Sequence, residues 1–151
     1  MPTLYFEDFE VGRIFDCAPH KMTRDEIIAF ASEYDPQPFH LDEQAAKDTF
    51  FGALVASGWH TASLTMRALA DRFLLDSSGI GSPGIEELRW VRPVRVDDVI
   101  SFRCEVAERK ESRSKPDMGL VRFSTTVTNQ SGEIVMTQDN WVMFSRRDDA
   151  R

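Results

Sequence analysis

The segment Gly58-Trp-His-Thr-Ala-Ser-Leu-Thr-Met-Arg-Ala-Leu-Ala-Asp-Arg-Phe-Leu-Leu75 carries the longest unbroken helical pattern in the chain. Its apolar residues would cover most of the circumference of a helix roughly 27 Å long. Its polar residues form a single stripe at four-residue spacing, Ser63, Arg67 and Asp71. A helix that is apolar on nearly every side is typical of a buried helix, so the rest of the chain must wrap around it.

The second half of the chain supplies strands for this wrapping layer. Ile100 to Val106 and Val121 to Thr128 alternate apolar with polar side chains, as antiparallel strands with one buried face do. Ile85 to Val91 and Ile134 to Phe144 predict two further strands. We therefore predict an α+β fold with an antiparallel sheet around a long central helix, in a single domain over residues 1–151.

The first half predicts one short strand and two helices. Arg13 to Met22 has the weak alternation of a strand. Thr23 begins a Thr-x-x-Glu capping box, and its helix should stop at Tyr34 because the next residue precedes a proline. Asp42 is a good N-cap for a short helix over Glu43 to Lys47, and we favour this capping role over a role as a third acid.

The stretch between these two helices, Asp35-Pro36-Gln37-Pro38-Phe39-His40, contains two side chains that can move protons. Each proline disfavours helical backbone at the residue before it, so we expect a rigid, extended path here. A carboxylate and an imidazole held on such a path can bind one water molecule between them, as general acid–base chemistry requires. The alternative is that Asp35 only caps a helix and His40 only fills a gap.

Five motifs spread over most of the chain decide between these readings: Phe30-Ala31, Asp35-x-x-Pro38-x-His40-x-Asp42, Phe51-Gly52, Ala56-x-Gly58 and Trp90-x-x-Pro93-Val94-x-x-x-Asp98. Together they resemble the MaoC-like dehydratases, the family of the (R)-specific enoyl-CoA hydratases. The resemblance implies the hot-dog fold, a long helix wrapped by an antiparallel sheet. It also implies that Asp35 and His40 are the catalytic pair of a reversible hydration of a trans-2-enoyl thioester.

Two positions depart from the pattern of this family. Gln37 stands where the family usually has Asn, which keeps the amide group but adds a methylene. Some members place a serine on the central helix eight residues after the glycine, and that position is Met66 here. We expect Gln37 to keep an orienting role and Met66 to shape the acyl pocket, and we transfer no hydroxyl role to the neighbouring residues.

Ser57 and Gly58 begin the central helix and complete the predicted site. In the implied reaction, negative charge develops on the thioester oxygen. The backbone N–H of Gly58 suits this charge, because the first N–H groups of a helix lack internal acceptors and the helix dipole favours anions. Glycine also permits close approach of a substrate. Close packing of the helix on the sheet explains a glycine here equally well.

Composition limits the partners of the protein. A formal net charge of −7 disfavours nucleic acid or an anionic membrane, although a local basic patch would suffice for CoA. Cys17 and Cys104 have no paired spacing, which favours a reduced compartment and no role as nucleophiles. The three histidines, His20, His40 and His60, are too scattered for a metal motif. With no leader or membrane-spanning pattern, we expect a cytoplasmic protein.

Three functional classes remain after these exclusions. The first is an enoyl-CoA hydratase that needs no cofactor beyond the CoA of its substrate. The second is a thioesterase on the same fold, and the third is a non-catalytic acyl-binding subunit. The Asp35 and His40 pair favours the first class over the third, whereas only the products distinguish the first from the second.

Some surface features are also predicted. An open sheet edge tends to be paired, so we expect a homodimer or a higher even oligomer. Trp59, Trp90 and Trp141 are assigned to the core or to a dimer interface, and His60 to packing. The basic residues between Arg109 and Gly119 are interpreted as a solvated loop rather than as a binding site for CoA phosphates.

Overall fold

A six-stranded antiparallel sheet forms the body of the computed structural model, which describes residues 1–148. Its strands are β1 (Ile14–Asp16), β2 (His20–Lys21), β3 (Gly79–Trp90), β4 (Val99–Glu111), β5 (Met118–Thr128) and β6 (Ile134–Ser145). The order across the sheet is β1-β4-β5-β6-β3, and β2 also pairs with β4. The helices are α1 (Arg24–Tyr34), α2 (Pro38–Leu41), α3 (Glu43–Lys47) and α4 (Gly58–Arg72), with short 3-10 turns at Phe6–Asp8 and Leu74–Asp76.

The four predicted long strands are confirmed. β4, β5 and β6 extend beyond their predicted bounds, whereas β3 begins at Gly79 rather than Ile85 and ends one residue early, at Trp90. The single strand predicted over residues 13–22 is wrong, because the chain leaves the sheet between β1 and β2. Pro19 lies in this interruption, where a residue without an N–H group cannot continue a ladder of hydrogen bonds.

The helices that flank the Asp35–His40 segment follow the predicted capping. Thr23 accepts a hydrogen bond from the N–H of Glu26 at 3.3 Å, and α1 ends at Tyr34 as expected. The carboxylate of Asp42 caps α3. The prediction of an extended path as far as His40 is wrong, because Pro38 begins the one-turn helix α2. Proline suits a first helical position, since its φ is preset and its missing N–H needs no partner.

The central helix α4 ends at Arg72, and the sheet covers it along one side only. His60, Thr61, Thr65 and Leu69 are its buried residues. On the opposite side, Trp59 is 58% exposed and Met66 is 49% exposed. The expectation that the helix is buried on nearly every side is therefore wrong for the single chain. An apolar pattern cannot distinguish a face covered by the same chain from one that the chain leaves open.

Two hydrophobic clusters lie between α4 and the sheet, towards opposite ends of the helix. We call the first the phenylalanine cluster; its aromatic members are Phe6, Phe9, Phe15, Phe73, Phe123 and Phe144. The second, which we call the aliphatic cluster, includes Ile27, Leu54, Val94, Ile100, Val127 and Met136. The segment Leu54–Ser57 is buried where it enters α4, so the aliphatic cluster supports the loop that precedes the helix.

Candidate active site

The ends of α1 and α2 bring Asp35 and His40 together. Asp35 is the C-cap residue of α1, and His40 lies in the single turn of α2. The Nε2 atom of His40 is 3.3 Å from the Oδ2 atom of Asp35. Only 7% of the histidine side chain and 16% of the aspartate side chain are exposed. The two residues singled out from the sequence therefore form a mostly buried pair.

The orientation of the His40 ring is set by a backbone carbonyl from a distant part of the chain. Its Nδ1 atom lies 2.6 Å from the carbonyl oxygen of Val55. Because a carbonyl only accepts hydrogen bonds, Nδ1 carries the proton and donates it to Val55. The Nε2 atom of the neutral ring then directs its lone pair towards Asp35, which is also an acceptor. Two acceptors this close need a hydrogen atom between them. Either a bridging water molecule supplies it, or the imidazole is protonated and Nε2 itself becomes the donor.

The carboxylate of Asp35 is held by donors on both of its oxygen atoms. Ser57 donates its hydroxyl to Oδ2 at 2.7 Å, and Gln37 donates its amide to Oδ1 at 2.6 Å. Burial raises the pKa of Asp35, but the hydrogen bonds from Ser57 and Gln37 and the proximity of His40 outweigh it. The net effect lowers the pKa below the usual value for aspartate. Asp35 is therefore ionised at neutral pH.

The N-terminus of α4 leaves one N–H group without an acceptor within residues 1–148. The N–H of Trp59 donates to the Ser57 hydroxyl at 3.3 Å. The N–H groups of His60 and Thr61 donate to the Ser57 carbonyl at 3.0 and 3.2 Å. The first N–H of the helix, that of Gly58, has no such partner, and Gly58 lines the same cavity as the Asp35–His40 pair. This cavity therefore has an available donor at a helix N-terminus.

The absence of a side chain at Gly58 has a packing explanation. A Cβ atom built on Gly58 would lie 2.6 Å from the Nε1 atom of Trp90. The same Nε1–H donates to the carbonyl oxygen of Gly58 at 2.8 Å. Glycine is thus required for the indole to pack against the backbone. Of the two readings of this glycine from the sequence, packing against the sheet is confirmed, and close approach of a substrate remains a proposal.

The cavity that contains these groups encloses about 420 Å³. Its ionisable pair and Gln37 form a polar region, and most of the remaining lining is apolar. The principal apolar residues are Phe39, Phe51, Val55, Trp59, Trp90 and Val135. Such a cavity suits an apolar ligand that carries a reactive polar group at one position.

Comparison with known proteins identifies this architecture. Residues 8–131 match the family model described as the MaoC like domain. The chain belongs to the MaoC-like dehydratase family. A MaoC-like dehydratase from Rhodospirillum rubrum has a crystal structure similar to this fold, with a TM-score of 0.90 and 42% identity over 97% of this chain and 99% of that one. The hot-dog fold expected from the resemblance is confirmed.

Two relatives of this MaoC-like protein have names that state an activity. A 3-hydroxybutyryl-CoA dehydratase of Methylorubrum extorquens is 30% identical over 149 residues, which cover 97% of this chain and 88% of the relative. An (R)-specific enoyl-CoA hydratase of Rhodospirillum rubrum is 28% identical over 145 residues, which cover 95% of this chain and 93% of the relative.

Within residues 1–148, Ser57 and Met66 are the predicted site residues of this MaoC-like chain that do not line the cavity; Ser57 still bonds to Asp35 of the pair, whereas Met66 has no such link. It lies on the exposed side of α4 and is absent from the cavity lining. Eight residues along a helix correspond to about 12 Å of rise, so Met66 lies more than two turns along α4 from Gly58. Thr61, which the sequence analysis missed, is buried and lines the cavity. Thr61 follows Gly58 by three residues, and this spacing places both on the same face of the helix, which could have identified Thr61 from the sequence.

Trp59 and Trp90 are not core residues, and the basic residues Arg109 and Lys110 lie in β4 rather than in a loop. Trp59 and Trp90, assigned to a core or interface, are 58% and 45% exposed and border the cavity, with ring centroids 5.0 Å apart. His60, by contrast, is buried and stacks on Phe30, as its packing assignment predicts. Lys110 lies over the ring of Trp141 and lines none of the cavity.

Among residues 1–148, no helix combines the length and hydrophobicity needed to cross a membrane.

The two cysteines sit in surroundings that disfavour the thiolate. Burial raises the pKa of Cys104 to about 12. Partial burial also raises the pKa of Cys17. Because the thiolate is the reactive form, neither side chain is suited to act as a nucleophile at neutral pH.

Proposed function

We propose that this protein is a hydratase that adds water reversibly to the double bond of a trans-2-enoyl-CoA with (R) stereochemistry. The observation that carries the proposal is the proximity of His40 Nε2 and Asp35 Oδ2, 3.3 Å apart at the wall of an apolar cavity. Membership of the MaoC-like dehydratase family supports it. The names of the two relatives, a 3-hydroxybutyryl-CoA dehydratase and an (R)-specific enoyl-CoA hydratase, support it further.

In the proposed mechanism, one water molecule donates one hydrogen to His40 Nε2 and the other to the carboxylate of Asp35. His40 takes a proton as the water oxygen forms a bond to C3, and the electrons of the double bond move into an enolate. The imidazolium then returns this proton to C2, which restores the pair. Because the pKa of Asp35 is lowered, its carboxylate stays ionised and stabilises the imidazolium instead of carrying the proton. The new C3–O and C2–H bonds form on the same face of the substrate, because the His40–Asp35 pair holds the water and returns the proton from one side.

The enolate oxygen needs a donor, and we propose that the N–H of Gly58 provides it. This N–H lies at the beginning of a helix of 15 residues, where the helix dipole favours negative charge. The apolar lining strengthens such an interaction because it excludes water. In this mechanism Ser57 and Gln37 act on the carboxylate of Asp35 rather than on the substrate, which refines their predicted role as substrate-binding residues.

We propose that the reaction needs no metal and no cofactor other than the CoA of the substrate. The His40–Asp35 pair supplies proton transfer, and the Gly58 N–H supplies charge stabilisation, so the chemistry is complete without a further group. Dialysis of the purified protein against a chelator should leave the hydration rate unchanged. A loss of rate that a divalent cation restores would contradict this part of the proposal.

The products of a reaction with crotonyl-CoA test the proposed function. Hydration removes the absorbance of the conjugated thioester without releasing a free thiol, and the product should be (R)-3-hydroxybutyryl-CoA. Release of a free thiol would identify a thioesterase instead. Binding without either change would identify a non-catalytic acyl-binding subunit. A panel of enoyl-CoA substrates of increasing length would then define the acyl preference.

We also propose that the protein is a homodimer, or a higher even oligomer, assembled through β3. This strand pairs with β6 on one side, and its burial pattern is exposed along nearly its whole length. Ile80 and Ile85 on β3 are 55% and 52% exposed. Within residues 1–148 the other side of this long strand is unpaired, and an exposed edge of this length favours pairing with another strand. Sedimentation should give a dimer or its multiple, whereas a stable monomer at micromolar concentration would contradict the assembly.

A further inference from the structure

We infer that Trp90 is a positioning residue that holds the Gly58 amide in place for the developing negative charge. The inference rests on the proposed function of Gly58 as the donor to the enolate oxygen. Trp90 is the last residue of the edge strand β3, and its indole is 45% exposed beside the cavity. A large aromatic side chain at the end of an edge strand would ordinarily be a packing or interface residue. The contacts of its ring indicate a more specific role.

Those contacts involve the two peptide groups that flank the Cα atom of Gly58. In the peptide between Ser57 and Gly58, the carbonyl oxygen accepts the N–H groups of the first helical turn. In the peptide between Gly58 and Trp59, the carbonyl oxygen accepts the Trp90 Nε1–H at 2.8 Å, and the N–H donates to the Ser57 hydroxyl. Within residues 1–148, three of the four polar groups have partners, and the Gly58 N–H remains available. The Gly58 carbonyl also accepts the N–H of Ala62 within α4, so the loss of Trp90 would remove one of three anchors of the second peptide, the one that comes from the sheet.

The indole also restricts Gly58 by contact. A Cβ atom at Gly58 would collide with three atoms of the Trp90 ring, so the ring occupies the space directly against Cα. Trp59 meets this ring edge-on, with centroids 5.0 Å apart at an interplanar angle of 80°. Gly58, the residue type with the freest backbone, is thus confined between the indole and the buried Ser57. Donors that are already oriented before charge develops are the ones that accelerate a reaction most.

The Trp90→Phe variant tests this role, because phenylalanine keeps an aromatic ring but removes the N–H donor. We expect kcat for crotonyl-CoA hydration to fall about 10-fold, less than the ~10²–10³-fold cost of deleting such a donor outright. KM should change by less than about twofold, because uniform binding is not affected. The matched control is Trp141→Phe, which removes an indole N–H bond to Glu86 that is remote from the cavity lining, and it should leave kcat unchanged.

A second variant separates the loss of the donor from altered packing. Benzothienylalanine at position 90 keeps a bicyclic ring of nearly the same shape but has sulfur in place of the indole N–H. We expect it to reproduce the decrease in kcat with little change in melting temperature. If this variant or Trp90→Phe changes only KM, or if both retain the kcat of the Trp141→Phe control, Trp90 is only a wall of the cavity and the inference is overturned.

Nuclear magnetic resonance provides a readout that does not depend on turnover. The chain has eight glycines, so a sample labelled with ¹⁵N-glycine gives few amide signals, and sequential triple-resonance assignment identifies that of Gly58. Butyryl-CoA, which has no double bond to hydrate, should shift the Gly58 amide signal in the wild type and in Trp141→Phe. The shift should be smaller in Trp90→Phe, and an equal shift would overturn the inference. Failure of the wild type to hydrate any enoyl-CoA would instead refute the proposed function, independently of this result.

Discussion

The two ends of α4 are built by different means, although they belong to one helix. At the C-terminal end, Phe73 contacts several rings of the phenylalanine cluster, and its centroid is 4.2 Å from that of Phe15. At the N-terminal end, Gly58 borders a cavity of about 420 Å³ that holds an ionisable pair, and the hydroxyl of Ser57 donates to Asp35 of that pair. The first end is stabilised by burial of apolar surface. The second depends on hydrogen bonds that satisfy and orient its polar groups.

This difference indicates how the fold can maintain a site that packing alone would not stabilise. Aromatic pairs in the phenylalanine cluster each contribute about 0.5–1.5 kcal/mol beyond the area that they bury. A buried polar group, by contrast, costs free energy unless it is hydrogen-bonded. Asp35 and His40 meet this condition through Ser57, Gln37 and the carbonyl of Val55. Variants at the two ends of the helix should therefore separate stability from turnover.

The largest effect on stability is expected at the phenylalanine cluster. Phe73→Ala should lower the free energy of unfolding by about 3–5 kcal/mol, because it leaves a cavity among packed rings. Turnover per folded molecule should stay close to that of the wild type, as measured by chemical denaturation and hydration assays on the same preparation. The control is Leu75→Ala at a residue that is 75% exposed, which should change stability by no more than about 0.5 kcal/mol. A large loss of turnover in folded Phe73→Ala would show that the two ends are coupled.

The largest effect on turnover is expected at the other end of the helix. Asp35→Asn and His40→Gln should each lower the hydration rate by at least about 10²-fold, while the fold is retained. Because both side chains act on one water molecule, the double variant should be little slower than the slower single variant. Asp42→Asn is the matched control, since asparagine also caps a helix and Asp42 is outside the cavity lining. Normal turnover per folded protein in either Asp35→Asn or His40→Gln would end the catalytic assignment.

An intermediate effect is expected from overpacking the two sides of α4. Ala68 packs against the aliphatic cluster, so Ala68→Leu should cost about 1–3 kcal/mol of unfolding free energy. Ala70 belongs to neither cluster, and Ala70→Leu should cost less. Thermal and chemical denaturation of the two variants measure the difference. Equal costs at the two positions would indicate that the open side of the helix is covered in solution.

The smallest effect is a pH dependence that reports on the hydrogen bond from Ser57 to Asp35. The folded-state pKa of Asp35 is lowered, so its contribution to stability is present above an unfolded-state pKa of about 3.9 and is lost as pH falls through the folded pKa. Ser57→Ala should raise this pKa towards its usual value. Unfolding free energies measured from pH 6 down to pH 2 should therefore show a difference from the wild type that narrows on acidification.

The control for this titration is Ser63→Ala, which removes a hydroxyl on the exposed side of the helix whose one bond within residues 1–148 is to the carbonyl of Trp59. Its difference from the wild type should stay constant with pH. If the difference for Ser57→Ala is also constant, the hydroxyl serves only as the N-cap of α4. Caps of this kind typically contribute about 0.5–2 kcal/mol.

The sequence by itself determined the features that depend on neighbouring residues. The proline after Asp35 ends α1 at Tyr34, and the Asp42 carboxylate begins α3, because both effects act within one turn of backbone. Strict alternation located β4 and β5, because the period of a strand is visible over a few residues. Family motifs indicated Asp35 and His40, although the bare spacing of the two residues would not have sufficed.

Only the tertiary structure decided how these groups meet. The Val55 carbonyl that orients His40 is 15 residues away in sequence, Ser57 is 22 residues from Asp35, and Trp90 is 32 residues from Gly58. Such contacts depend on the register of the sheet and on the seating of α4, and no local pattern encodes either of them. The same reason explains Met66: the helical pattern shows that it is apolar, but only the placement of the sheet leaves it on the exposed side.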